Sequence, residues 1–218
     1  MMGLLLLLSA SAAAPSPLLW VDRTARVAYV LSDSGAVLEQ TAAGIGRGGL
    51  GEKSSMADRI TPTGRFTVDL ILTRSGSHNA VMADVVQRFS SEPAYAALLS
   101  TPAGLSQLFE NMSRLDFDGD GTPDRAYGDG YIGLHSSEAV TGPKMRRYRG
   151  TPYWYAIALH GTPDPSSLGE ARSGGCVHLP ASLLEQLVVG DHIQLGTEVI
   201  IADGPPLPLN GVGGGAVP

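Results

Sequence analysis

The chain has a single cysteine, Cys176, so no internal disulfide can form and this thiol is either an unpaired passenger or a reagent. There is no basic run, and the formal net charge is −6, which argues against nucleic acid as a partner. No apolar run approaches the roughly 20 residues that a membrane-spanning helix requires. No internal repeat is visible. What remains is ordinary globular material: 218 residues, 43% hydrophobic and 17% charged, enough for one large domain or two small ones with a proper core. The 28 glycines and 15 prolines point to many turns and loops.

The first fourteen residues stand apart. Leu4–Leu8 is a short apolar core, and Ser9-Ala10-Ser11-Ala12-Ala13-Ala14 supplies small residues after it. This is the pattern of a secretory signal, with an A-x-A-like site at Ala10-Ser11-Ala12. Residues 1–14 are therefore expected to be a signal peptide and the protein to be exported. The first residues carry no Lys or Arg, so either the true start lies upstream or the α-amino group alone supplies the charge. No cysteine follows the signal, which argues against a lipoprotein anchor.

Beyond the spacer Pro15–Pro17, β-like runs are predicted at Leu18–Asp22, Arg26–Leu31, Gly35–Thr41 and Arg65–Leu72. Ala43–Ala57 reads as a loop. Helical spacing then takes over at Ala80–Phe89, Tyr95–Leu99 and Leu105–Leu115, with Glu92-Pro93 and Thr101-Pro102 as helix starts. Strand patterning returns at Tyr131–Leu134, Tyr153–Leu159, His192–Leu195 and Glu198–Ala202, and Pro180 opens a short helix. The expected fold class is mainly β, interrupted by a helical insertion at about 74–150, with a disordered Pro/Gly-rich tail at 204–218.

The surroundings of Cys176 argue for a reagent. It sits in Ser173-Gly174-Gly175-Cys176-Val177-His178, where glycines can bend the chain so that successive backbone N–H groups face an anion. His160 ends the apolar run Ala156-Ile157-Ala158-Leu159, so a strand end can hold an imidazole firmly at a cleft. Gly161 follows, and its carbonyl can take one imidazole nitrogen and leave the other for the thiol. A thiol with a reference pKa of about 8.5 needs such neighbours to become a nucleophile. His135, in Gly133-Leu134-His135-Ser136, is a rival base without the following glycine. His78 and His192 read as surface residues.

These residues resemble the L,D-transpeptidase catalytic domain family of bacterial cell-wall enzymes. His160-Gly161, a gap of about fifteen residues, and Ser173-Gly174-Gly175-Cys176-Val177 match its signature. Asp58–Phe66, containing Thr61-Pro62-Thr63-Gly64-Arg65-Phe66, is similar to its turn and strand before the active site, and Lys53 upstream also fits. The resemblance covers roughly Leu18–Phe66 and Tyr153–Ala202. It implies an L,D-transpeptidase-like β-sandwich or barrel over residues 18–203, with a short helix after the cysteine. It also implies an exported, periplasmic or cell-wall enzyme acting as a monomer on peptidoglycan stem peptides, with no catalytic cofactor. Cys176 would attack the third residue of a stem tetrapeptide, D-alanine would leave, and an amine would resolve the thioester. His160 would be the base and Gly161 its orienter. Cys176 N–H, with Gly175 or Gly174, would form the oxyanion hole. The family often has His where Gly174 stands, and Arg or Asn where His178 stands. An Arg there would hold a substrate carboxylate by two parallel hydrogen bonds, which His178 cannot do.

One further motif lies in the insertion. Asp116-Phe117-Asp118-Gly119-Asp120-Gly121-Thr122-Pro123-Asp124 places carboxylates at positions 1, 3, 5 and 9, Gly at 6 and the Thr122 carbonyl at 7, which is calcium-loop spacing. Position 12 is Tyr127, so the usual bidentate Glu is missing. A structural calcium held by Asp116, Asp118, Asp120, Thr122 and Asp124 is the expectation, against a solvated acidic turn. Two alternatives to a transpeptidase stay open. One is an L,D-carboxypeptidase or amide hydrolase, in which water resolves the same thioester. The other is a non-catalytic, calcium-stabilised cell-wall binding protein.

Overall fold

The computed structural model describes residues 19–136, 141–190 and 192–206. The expected signal peptide and most of the expected tail lie outside them. The chain opens as an antiparallel meander of β1 (Leu19–Asp22), β2 (Val27–Leu31) and β3 (Val37–Ala42). β5 (Gly64–Thr73) pairs with β7 (Gly130–His135), and β7 pairs with β10 (Ala158–His160). β10 runs parallel to β12 (Val177–His178). β13 (Glu198–Ala202) lies between β5 and β1, so the order is β12-β10-β7-β5-β13-β1-β2-β3. The short β6 (Ala80–Val81) adds to β5. The fold is therefore mainly β, as expected.

This sheet curls until its two ends meet. Gly44, just beyond β3, exchanges two backbone hydrogen bonds of 2.9 Å with His178 of β12. A Cβ at Gly44 would lie 2.6 Å from Ser167 O and 3.0 Å from His178 Cβ, so glycine is what lets the ends close. Next to this seam, β4 (Ile45–Gly46) pairs in parallel with β11 (Ala171–Ser173), inside and beyond what reads from sequence as loop.

Inside the curl, Val21, Phe66, Val68, Ile132, Leu134, Leu159 and Val177 pack with Leu183, Leu184 and Leu187 of α4 (Ala181–Val189), the short helix after the cysteine. On the other face, Leu70, Leu72 and Tyr131 pack against α1 (Ala83–Arg88), α2 (Pro93–Leu99) and α3 (Pro102–Ser113). β5 serves both cores because its register shifts between Val68 and Leu70. The extra residue, Asp69, reverses the in-out alternation, so Val68 and Ile71 face one core and Leu70 and Leu72 the other. That bulge is the source of the imperfect alternation in this stretch of sequence.

Two expected strands are corrected. Tyr153–Leu159 is not one strand. It splits into β9 (Thr151–Trp154), which hairpins with β8 (Met145–Tyr148), and β10 in the main sheet. Between them, Ala156 O accepts from the Tyr131 hydroxyl and Ile157 O from Leu134 N–H, which carries the chain from one sheet to the other. His192–Leu195 is not a strand either. Ile193 N–H is bonded to Leu187 O at the end of α4, and Gln194–Thr197 forms a turn.

Candidate active site

His160 ends β10 and stands in register with His178 on one side and Tyr131 on the other. Residues in register point to the same face. The three rings therefore form a row, with His160 stacked on Tyr131 at 5.8 Å and tilted against His178 at 4.9 Å. Tyr127 meets the edge of His160 at 5.1 Å. His160 Nδ1 lies 2.6 Å from Gly161 O, which makes Nδ1 the protonated nitrogen and leaves Nε2 with its lone pair. His160 is 4% exposed. Burial and the neighbouring His178 push its pKa down to about 3, so the imidazole is neutral throughout the ordinary pH range.

Cys176 precedes β12 and shares a cavity of about 540 Å³ with His160, His178, Ser173 and Gly174. Its Sγ lies 3.6 Å from Ala156 O. Burial pushes the thiol up to about 11, opposed by the Ala158 amide and the charge of Lys53. At rest the cavity therefore holds a neutral thiol and a neutral imidazole. The physical reason is the dry setting, which penalises either charge.

The loop that carries Cys176 is built by hydrogen bonds within itself. Ser173 Oγ donates to Cys176 O at 2.5 Å and accepts from Gly175 N–H at 3.0 Å. Ser173 is thus the brace of a tight turn. Gly175 N–H is committed to it, which removes Gly175 from the expected oxyanion donors. Among the described residues, the amides of Gly174 and Cys176 have no partner and remain open. Gly175 is still required as glycine: its φ is +122°, and a Cβ would stand 3.1 Å from Ile60 O.

Behind this turn lies a support built from Lys53, the 58–61 stretch and Arg23. The Lys53 side chain is fully buried, donates to Ile60 O at 2.9 Å and pairs with Asp58 at 3.0 Å. Its Nζ would be 3.5 Å from a Cβ on Gly175. Burial works against the Asp58 carboxylate, but the amides of Ile60, Ser55 and Ser54 and the Lys53 ammonium outweigh it and hold its pKa well below the usual range. Thr61 Oγ1 accepts from Gly46 N–H at 2.8 Å and reaches Cys176 O at 3.5 Å. Arg23, 2% exposed, bonds to Thr61 O, Leu50 O and the Asp203 carboxylate. Thr61 belongs to the Thr61-Pro62-Thr63-Gly64 motif, but no local pattern marks Arg23 for this task, because its partners are far away in the chain.

His178 Nδ1 lies 3.0 Å from Ser167 Oγ, and burial lowers its pKa despite the opposing charge of Asp164. His135, the rival base, is at the far end of β7, its buried Nδ1 has no partner among the described residues, and it does not line the cavity. His192 is exposed and His78 partly so. In the acidic loop, Asp116, Asp118 and Asp120 each offer an oxygen within 4.8 Å of the others. The Asp116 oxygens also accept from Gly119 and Gly121 N–H. Asp124 is turned to Phe117 N–H at 2.5 Å, and Thr122 hydrogen-bonds Asp120. Three of the five expected ligands therefore converge. Phe117, Asp124 and Tyr127 from this stretch form one wall of the cavity.

The family model of the L,D-transpeptidase catalytic domain matches residues 16–201. Among solved structures, an L,D-transpeptidase from Mycobacterium smegmatis is 15% identical, with 86% of this chain and 59% of that one covered and a TM-score of 0.44. L,D-transpeptidase 3 from Mycobacterium tuberculosis, in complex with a faropenem-derived adduct, is 16% identical over 86% and 60%, with a TM-score of 0.46. An L,D-transpeptidase from Xylanimonas cellulosilytica is 15% identical over 88% and 63%, with a TM-score of 0.42. The chain spans about three-fifths of the length of these solved chains. No curated protein matches it.

Proposed function

Because this chain belongs to the L,D-transpeptidase catalytic domain family, we propose that it is an exported cysteine acyltransferase that cross-links or modifies peptidoglycan stem tetrapeptides. The observation that carries this reading is the shared cavity of Cys176 and His160, with His160 Nδ1 tied to Gly161 O and two amides left open at the nucleophile. His160 Nε2 takes the Cys176 proton as Sγ attacks the carbonyl of the third stem residue. The oxyanion accepts from the N–H groups of Cys176 and Gly174. On collapse the bond to D-alanine breaks, and His160 returns the proton to the departing amine. An acceptor amine then attacks the thioester, gives its proton to His160, and expels the Cys176 sulfur.

Incubation with a carbapenem and intact-mass measurement tests the nucleophile: a stoichiometric adduct is expected, absent in Cys176→Ala. Incubation with a stem tetrapeptide and a second stem tests the reaction. A cross-linked product supports transfer, and tripeptide alone assigns hydrolysis. An unreactive protein with an iodoacetamide-inert thiol would return the non-catalytic wall-binding reading.

Calcium at the acidic loop is a separate proposal, supported by the convergence of Asp116, Asp118 and Asp120. Carboxylates that close repel one another, and a divalent cation would relieve this. Its role would be to hold the cavity wall that contains Phe117 and Tyr127. Calorimetric titration should show heat of calcium binding that vanishes in Asp118→Ala plus Asp120→Ala. Silence at millimolar calcium would leave a solvated turn.

A further inference from the structure

His178 lines the cavity beside His160, but its imidazole is not free to grip a substrate carboxylate. Its Nδ1 is engaged by Ser167, and its ring lies against His160. A charged donor substrate would then enter a cavity without a cation at that position. Two guanidiniums line the cavity elsewhere, Arg47 and Arg172. Arg172 is committed, with Ser166 Oγ at 3.2 Å and Asp164 at 3.9 Å. Among the described residues, the Arg47 side chain makes no hydrogen bond or ion pair, and it is exposed at the cavity. The two carboxylates that line the same cavity are occupied elsewhere: Asp124 by Phe117 N–H, and Asp164 by Ser166 N–H and Arg172.

The backbone under Arg47 is held firmly. Arg47 N–H donates to Ser173 O at 3.0 Å, which ties it to the residue that braces the nucleophile turn. Gly46 N–H donates to Thr61 Oγ1, and Gly48 N–H donates to Arg59 O at 3.0 Å. A Cβ at Gly46 would collide with Arg59 O, and one at Gly48 with Asp58 O. Glycines on both sides therefore let this segment lie flat on residues 58–61, and the residue between them is the one with a long charged side chain. A fixed backbone with an unpaired planar fork at a cleft is suited to bidentate recognition of a carboxylate.

We propose that Arg47 holds a carboxylate of the acyl-donor peptide, supplying from the β4 side the grip that His178 does not. The assignment rests on the reading of this cavity as the donor site, and the test is arranged so that either can fail alone. In the Cys176→Ala protein, which binds without turnover, the affinity of a stem tetrapeptide is measured by calorimetry with and without Arg47→Gln. The same is done with the peptide amidated at its D-alanine carboxylate, and with the peptide amidated at its internal carboxylates instead.

Arg47→Gln should weaken binding of the unmodified peptide about tenfold or more, and Arg47→Lys should recover part of the loss. One of the amidations should cost the Arg47 protein the same factor, and cost the Arg47→Gln protein nothing further, which identifies the carboxylate. Equal binding with and without Arg47→Gln, or equal absence of binding, overturns the assignment. So does a loss on Arg47→Gln that is independent of both amidations. Iodoacetamide alkylation of Cys176 in an otherwise native Arg47→Gln protein should proceed at the parent rate. A changed rate would show that Arg47 acts on the nucleophile turn and not on the peptide. Carbapenem capture by the native protein judges the acyltransferase reading independently.

Discussion

Replacing His160 with Gln is expected to lower kcat/KM for acyl transfer by about 10²–10⁴-fold, while alkylation of Cys176 at high pH changes little. The two readouts separate because the thiol and the imidazole are both neutral at rest. With the thiol pushed up to about 11 by burial, only about one ten-thousandth is thiolate at pH 7. The thiolate is the reactive form, so alkylation of the free protein should rise about tenfold per pH unit through the range 8–10. Acyl transfer should not follow that rise, since His160 can remove the proton in the same step as attack. An alkylation rate that levels off near pH 7 would show instead that a thiolate pre-exists. Stability carries a second signature. The pKa of His160 falls from 6.5 to about 3 on folding, so above 6.5 neither state binds the proton. Below it the unfolded chain does, and the folded state loses stability down to about pH 3. His160→Gln should flatten this acid slope in urea titrations.

The candidate nucleophile, base and orienting carbonyl could be picked out directly because each lies in a short local pattern. Cys176 with its glycines and His160-Gly161 need only the knowledge that a strand end faces a cleft. What could not be read depends on pairings across the chain. The glycine pattern leaves the amide of Gly175 open as a donor, but in the folded loop Ser173 Oγ takes it. The neighbours of His178 are fixed by the seam at Gly44 and by the register with His160, neither of which leaves a periodic trace. Beneath the turn, Thr61 stands in a motif that could be read, but Arg23 is ordinary in sequence and acquires a role only when the residue after β1, the 47–61 segment and the loop of Cys176 come together. The strand at β5 was legible, but its broken alternation had no explanation without the bulge. The split of Tyr153–Leu159 was hidden because a continuous apolar run looks the same whether it serves one sheet or two.

The largest expected effect on stability falls on that bulge. Asp69→Asn should destabilise the protein by about 3–5 kcal/mol, and Lys144→Met by a similar amount. Asp69 and Lys144 are 1% and 2% exposed and form a direct ion pair. Burial raises the pKa of the Asp69 carboxyl and lowers that of the Lys144 ammonium, and each partner's charge opposes the change. Removing either therefore leaves the other charged and unpaired in a dry place, or forces it neutral. Little else can compensate. Among the described residues the second Asp69 oxygen has no partner, nor has Trp154 Nε1, and both crowd the space above Gly133. Replacing both together, as Asp69→Leu with Lys144→Met, should recover most of the loss, because an apolar pair of similar volume needs no desolvation. Urea midpoints of the two single variants and the double variant measure this directly. A near-additive double variant would mean that the cost comes from packing at the bulge and not from charge. The result bears on the site as well. Lys144 lies over the Trp154 ring at 5.5 Å, and Tyr155 N–H bonds to Lys144 O. Trp154 and Tyr155 both line the cavity that holds Cys176. The double variant should therefore regain stability before it regains activity, since an apolar pair restores the fill beneath this wall but not the ammonium that sits over the Trp154 ring.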